Sequence, residues 1–352
     1  MHRSLHGNYR WGDRVRNHHR MVLLHWLAAT AMTDLVVGDP HLNDNPRDSY
    51  RHKFFTDALP GLLEDRKPDR MIVVGDITDE KDRHSAWLVN KVVSHFHMLT
   101  SHVPEIIILK GNHDYEDENN PFFHFLNRIP GLRFVSHVIR KQGTLFLPHT
   151  TDHVRDWSER KTAPLAYAHN TFEGALGGNA TKLRGVPLEA CPAEAVIAGD
   201  VHVPQMLGKC VYVGAPYRID FGDDFEPRLL LVKPNHTWTS FPVGELVPQK
   251  RLVELANPEE RKAPNCRPGD ILKIRVNLKY RDVADWPMTR QTISTWAQEK
   301  GFVVNSILPR VHYKAGARPV AVDRKSDEEL VKEYSSAVGL DKVTTKTGVQ
   351  LL

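Results

Sequence analysis

Five short polar motifs, each placed where an apolar run ends, constrain this chain more than any other feature. In order they are Gly-Asp-Pro-His at 38–41, Gly-Asp at 75–76, Gly-Asn-His-Asp at 111–114, Ala-His-Asn at 168–170 and Gly-Asp-Val-His at 199–202. Four directly follow apolar, β-branched runs (Asp34 to Val37, Met71 to Val74, Glu105 to Leu109, Ala195 to Ala198), and the other follows Leu165 to Tyr167. Such runs read as strands. Each polar set then sits at the carboxyl end of a strand, the edge on which open α/β sheets build their sites. Carboxylate, imidazole and amide groups are hard and borderline ligands for divalent ions, and no Cys lies within the motifs. Together they look like a two-metal site.

The order of the motifs resembles the calcineurin-like metallophosphoesterase superfamily, whose signature runs D-x-H, G-D, G-N-H-[DE], H, G-H-x-H. Val201 to Gln205 (V-H-V-P-Q) and Tyr212 to Gly222 (Y-V-G-A-P-Y-R-I-D-F-G) are similar to the segment that closes the catalytic domain of SbcD-type DNA repair nucleases and their phage relatives. Gly-Asp-Ile-Thr-Asp at 75–79 is similar to the SbcD form of the second motif. The resemblance covers roughly Asp34 to Val243 and, more weakly, the region after it. It implies two divalent ions, Mn²⁺ first and Mg²⁺ as the alternative, with Asp39, His41 and His202 on one, Asn112, His169 and Asp200 on the other, and Asp76 bridging. It also implies that His113 protonates the leaving oxygen or stabilises the phosphoryl group, with Asp114 holding its ring in the useful tautomer.

Two positions depart from the family pattern. Asp200 stands where G-H-x-H has its first His, and a carboxylate there favours hard ions over Zn²⁺. Asp79 stands where some relatives carry a His that handles the DNA phosphodiester. His84, His95, His97, His102 and His124 have no ligand company in the sequence and are read as non-functional, whereas His149 and His153 are candidates for a supporting place around the ligands.

Between the motifs the pattern alternates strand and helix. A helix is expected from about Ser49 to Asp65, kinked or ended near Pro60. Another is expected from about Asp82 to Thr100, with Trp87, Leu88, Val92, Phe96 and Leu99 at helical spacing and assigned to the core. Strand Glu105 to Leu109 and a short helix opened by Pro121 follow. After Phe134 the runs shorten, which points to an α/β architecture, a mixed two-sheet sandwich flanked by helices. Near Pro242 the composition shifts, and Pro248, Pro258, Pro264 and Pro268 punctuate a charged segment that reads as a linker or extended wrap. Beyond it, a strand from Asp270 to Asn277, a helix from Thr289 to Lys300 and a strand from Gly301 to Leu308 resemble the small α+β cap of SbcD-type nucleases. The expected domains are a leader at 1–33, a catalytic domain at 34–244, a linker and capping domain at 245–325 and a tail at 326–352. A capping box of Ser326 and Glu329 would open a tail helix from Ser326 to Ser336.

The formal net charge of +4 is carried entirely by residues 1–33, which hold five Arg and one Asp, so the body of the chain is electrically balanced. A basic isoelectric point is therefore no sign of a nucleic-acid-binding body; only a local basic face would be. After Glu245 a mild basic excess is consistent with a phosphate-backbone surface or with a solvated face. The leader reads as a disordered tail or as an upstream extension of the reading frame, and composition leaves both open. Its apolar stretch, Met21 to Met32, is broken by His25 and too short for a bilayer, although the preceding Arg residues and following Ala residues imitate a signal peptide. Three scattered Cys fit a reducing compartment, hence the cytoplasm, or the host cytoplasm for a phage protein.

By resemblance the expected function is a DNA exonuclease/endonuclease in repair or phage recombination, acting on DNA with an SbcC-type ATPase, with a homodimer as a further expectation and no membrane partner. The enzyme alternative is a phosphomonoesterase or small-molecule phosphodiesterase of the same superfamily. A metal-free scaffold is disfavoured because every ligand position keeps a side chain able to coordinate. If the leader is dispensable, a protein starting at Met32 folds and keeps its specific activity; a large drop in thermal stability on truncation would show that it packs on the body.

Overall fold

The computed structural model describes residues 32–312, apart from Glu159 and Asn179, and a few isolated positions beyond them. The leader at 1–31 and, bar a few positions, the tail helix expected from Ser326 to Ser336 lie outside the described residues. The parallel strands β1 (Asp34–Val37), β2 (Arg70–Val73), β3 (Glu105–Leu109) and β4 (Leu132–Val135) start the first sheet. Next come β5 (Ile139–Lys141), β6 (Thr144–Leu147), β7 (Ala163–His169), β8 (Ala193–Gly199), β9 (Gln205–Leu207) and β10 (Cys210–Tyr212), which form a second sheet ordered β5-β6-β7-β8-β10-β9. The chain then returns antiparallel through β11 (Arg228–Val232) and β12 (Trp238–Pro242), completing the first sheet as β12-β11-β1-β2-β3-β4.

The alternation of strand side chains explains the layering. On β1 to β3, Leu35, Val37, Met71, Val73, Ile106 and Ile108 belong to one apolar cluster, which contains the helices' apolar residues. Their alternates Val36, Ile72, Ile107 and Leu109 join Leu165, Tyr167 and Ile197 of the second sheet. Both faces of these strands are thus apolar, as parallel strands require when covered on both sides. A third cluster backs the second sheet, with Trp157 supplied by a helix. The expected two mixed sheets with flanking helices are the observed fold.

The first covering helix is α1 (Ser49–Lys53), continued by a π segment (Phe54–Ala58) and α2 (Leu59–Arg66). Pro60 lacks the N–H for an α-helical bond, and its ring would clash with the carbonyl four residues back. The chain widens ahead of it, with Leu59 N donating to Phe54 O, so the predicted kink takes the form of a π turn. Helix α3 (Ala86–Leu99) starts at an N-cap, Ser85, whose hydroxyl accepts from Leu88 N. Leu88, Val92, Phe96 and Leu99 are buried, but Trp87 is 49% exposed, contrary to its core assignment. It lies in the first turn, with its ring edge-on to His52 and beneath Lys91. Helix α4 (His153–Trp157) carries Trp157.

The chain clusters into two compact units, one of Met1–Val253, Ala263–Lys273 and Ala297–Ser306, the other of Glu254–Lys262, Ile274–Trp296 and Ile307–Leu352. A third sheet is ordered β13 (Lys250–Leu255), β14 (Ile271–Lys279), β15 (Val303–His312), and helix α5 spans Trp286–Glu299. β13 falls where the prolines suggested a linker, because Pro248 and Pro258 bracket the strand without entering it. Among the described residues no helix is long and apolar enough to cross a membrane.

Register sets one buried polar contact. Asp34 pairs with Arg70 across β1 and β2, and their side chains form a fork, Nε to Oδ1 at 2.7 Å and the second guanidinium nitrogen to Oδ2 at 2.8 Å. From the second sheet the Tyr167 hydroxyl donates to Asp34 Oδ2 at 2.6 Å. Arg70→Met leaves a buried carboxylate without its cation, so urea unfolding should show a loss of about 3–5 kcal/mol. A loss too small to resolve would mean that the pair adds nothing to the sandwich.

Candidate metal centre

The five motifs converge because both sheets end their parallel strands on one edge. Asp39 and His41 leave β1, Asp76 leaves β2, Asn112 and His113 leave β3, His169 ends β7, and Asp200 and His202 leave β8. Asp39, His41, Asp76 and His169 are buried, and Asp200 and His202 partly so. The loops bend sharply enough that His41, Asp76 and Asp200 all take positive φ, at 44°, 54° and 78°, a conformation that L-residues rarely adopt. Glycines allow the close approach. A Cβ on Gly75, itself at φ 105°, would meet His169 Nδ1 at 2.2 Å, and one on Gly111 would meet Asp76 Oδ1 at 2.1 Å.

At the centre, amide, carboxylate and imidazole groups crowd together. The Asn112 side-chain oxygen is 3.0 Å from His169 Nε2, 3.1 Å from each Asp76 oxygen and 3.2 Å from Asp200 Oδ1. His169 Nδ1 donates to the Val74 carbonyl, and Nε2 lies 3.3 Å from Asp76 Oδ1. Burial disfavours the charged ring, but Asp76, Asp200 and Asp39 outweigh it and raise the His169 pKa well above the ordinary imidazole value. Nε2 therefore holds a proton that a bound cation would displace. On the other side His41 Nε2 is 3.5 Å from Asp76 Oδ2 and 3.0 Å from His202 Nε2. Asp39 Oδ2 is buried without a hydrogen-bond partner among the described residues. Two sets of three potential ligands share Asp76, one with His41 and His113, the other with Asp39 and His169. With no cation among them, the Asn112 amide would have to turn its NH₂ inward; with a cation, its oxygen is the correct atom. The donor set, all carboxylate, amide and imidazole, fits divalent cations.

Electrostatics point the same way. Burial pushes the Asp39 carboxyl up to about 6, opposed in part by His169. Burial also acts to raise the Asp76 pKa, but His169, His41 and His113 outweigh it and hold Asp76 ionised well below the usual carboxylate range. Buried carboxylates sharing a few imidazoles lack positive charge, and divalent ions would supply it.

Residues outside the candidate ligand set brace the cluster, among them Asp79, which departs from the family pattern. Asp79 Oδ1 lies 3.1 Å from His41 Nδ1, within ion-pair reach though off hydrogen-bond alignment. Asp79 is itself gripped by Arg51 at 2.9 Å and by Asn43 at 2.6 Å. Burial works against its ionisation, but His41 and Arg51 hold it down at about 2. Asp79 therefore carries negative charge against the outer nitrogen of His41, favouring a proton there and a lone pair at Nε2. Arg51 donates to the His41 carbonyl as well. Thr171 donates to Asp200 Oδ2 at 2.6 Å, and Asp200 N donates to Asp39 Oδ1 at 2.9 Å. Tyr217, in the segment that resembles the SbcD closing region, donates to the Pro40 carbonyl and braces the first motif.

Asp114 does not hold the His113 ring. Its carboxylate accepts three backbone N–H groups, from Asp76 at 3.0 Å, Ile77 at 3.0 Å and Gly111 at 2.6 Å, and so staples the loop after β2 to the loop after β3. The His113 ring is oriented instead by the Asp79 carbonyl, 2.6 Å from its Nδ1. His149 lies beside the cluster, its ring 6.1 Å from that of His169, whereas His153 packs on Trp157.

With this geometry in view, residues 32–204, just under half of the chain, match the model of the calcineurin-like phosphoesterase family. The family binds divalent metals and hydrolyses phosphoesters. The chain is also similar to "Putative phosphoesterase 078R" of Invertebrate iridescent virus 3, 24% identical over 216 residues that cover 54% of this chain and 59% of that protein.

If Asp79 orients His41, Asp79→Ala should weaken divalent-metal binding about 10–100-fold with the fold intact. Calorimetric titration with Mn²⁺, alongside circular dichroism, measures both. Unchanged affinity would mean that His41 needs no such support.

Proposed function

We propose that this chain is a two-metal phosphodiesterase that cleaves DNA, of the SbcD type and working with an SbcC-type ATPase. The observation that carries the two-metal reading is Asp76, whose two oxygens face separate imidazoles, His169 at 3.3 Å and His41 at 3.5 Å. Asp39, His41 and His202 would hold one divalent cation and Asn112, His169 and Asp200 the other. Such ions neutralise charge on the phosphoryl oxygens and activate water near neutral pH, with Mn²⁺ or Mg²⁺ suited to this oxygen-rich set. His113 sits beside His41, its ring 4.9 Å away and nearly perpendicular. Because Nδ1 is committed to the Asp79 carbonyl, Nε2 is the atom that can give a proton to the leaving oxygen. The DNA substrate and the ATPase partner rest on the likeness of Val201 to Gln205 and Tyr212 to Gly222 to SbcD-type nucleases.

One observation favours a second reading, hydrolysis of a small-molecule phosphoester. A cavity of about 300 Å³ beside His202 is lined by Asp200, Asp220 and Asp223 and, among the described residues, by no Lys or Arg. Carboxylates there repel a polyanion but tolerate a small neutral leaving group. Turnover on double-stranded DNA, single-stranded DNA and a chromogenic phosphate ester, each with Mn²⁺, Mg²⁺ and Zn²⁺, separates the readings. Cleavage of DNA with Mn²⁺ supports the first; turnover of the ester alone supports the second.

Two variants separate the roles at the site. Asp76→Ala should lose turnover and bound metal together. His113→Ala should keep its metal and lose about 10²–10⁴-fold in kcat. If His113→Ala loses as much metal as Asp76→Ala, His113 is a ligand and not the proton donor.

A further inference from the structure

A cleft of about 360 Å³ opens on the His149 side of the metal centre and is lined by Lys110, Glu118, His149, Arg155, Asp156 and Arg160, among others. Its charges are unevenly paired. Arg155 takes both acids, Glu118 at 3.1 Å and Asp156 at 2.7 and 3.0 Å. Asp156 is satisfied further by Thr150 at 2.5 Å. Lys110 is 2% exposed, yet its nearest carboxylate, Glu118, is 4.0 Å away, beyond hydrogen-bond reach. Its ammonium otherwise rests 4.4 Å from the centre of the Tyr115 ring. Arg160 uses Nε on the Asp156 carbonyl, and its terminal nitrogens have no hydrogen bond among the described residues.

A buried ammonium without a hydrogen-bonded counter-ion is costly, and an anion in the cleft would offset that cost. The cleft adjoins the metal centre. Lys110 is two residues before Asn112, and the Tyr115 hydroxyl meets His149 Nδ1 at 2.9 Å. His149 N donates to Lys110 O at 2.7 Å, while its ring lies 6.1 Å from that of His169. At this size the cleft takes a phosphate with part of a small molecule. We propose that it binds a second phosphate of the substrate, next to the one hydrolysed, with Lys110 and Arg160 as the groups that hold it. This rests on the phosphoester-hydrolase reading and deepens it: the substrate carries at least two phosphates, as a nucleic acid or a nucleoside polyphosphate does.

Lys110→Met and Arg160→Gln each remove one cation and leave the candidate metal ligands untouched, and Arg160 is not in the core. In the full chain loaded with Mn²⁺, each variant should raise KM about tenfold or more for substrates with a second phosphate, and leave KM unchanged for a single-phosphate chromogenic ester. A rise seen with 5′-phosphorylated dinucleotides but not nucleoside triphosphates names nucleic acid as the source; the reverse names the nucleotide. An equal change on both kinds of substrate, or none in either variant, would overturn the proposal. Binding of inorganic phosphate to the metal-free protein, followed by calorimetry, does not depend on turnover. It should be about tenfold weaker in both variants and unaltered in His113→Ala. Should wild type hydrolyse nothing yet bind phosphate in this manner, the hydrolase reading fails while the cleft stands as an anion site; without binding in wild type, the cleft proposal fails.

Discussion

The structure depends on one electrostatic demand: carboxylates and imidazoles from two sheets are buried against one another, with more carboxylate charge than the imidazoles can balance. Asp39, Asp76 and His169 are almost wholly removed from solvent, and Asn112 faces the Asp76 and Asp200 carboxylates with its oxygen. Water cannot compensate such a cluster, and the protein supplies few protons to do so. Divalent cations would meet the demand, and the surrounding polypeptide holds the candidate ligands in place.

That organisation has a cost visible in the backbone. Three candidate ligand positions take positive φ, and the glycines before them tolerate contacts that no Cβ could. The strain is held by groups whose roles are mechanical. Asp114 ties two loops through three backbone N–H groups, Tyr217 anchors the first motif, and Arg51 locks Asp79 against His41. Positions that store strain in this manner cluster at functional sites.

The strands and their motifs were readable because parallel strands buried on both faces are apolar runs, and because each run here stops at a polar set. The two-sheet sandwich followed from those runs. Trp87 was misassigned because helical spacing does not reveal which side of a first turn faces solvent. β13 was missed because prolines at its borders resemble those of a linker. Asp79 and Arg51 carry no spacing signal toward His41; the loop after β2 and helix α1 bring them there only in three dimensions. Asp114 is adjacent to His113 in the sequence, yet the turn at 111–114, closed by Asp114 N donating to the Gly111 carbonyl, lets its carboxylate accept from the backbone of the neighbouring loop.

The most direct measurement is a crystal structure of the protein grown with Mn²⁺, using anomalous scattering to locate the ions. The account predicts two peaks about 3.5–4 Å apart, one on each side of the Asp76 carboxylate, with the Asn112 amide oxygen turned toward one of them. A single peak away from Asp76, or none at saturating Mn²⁺, would contradict it.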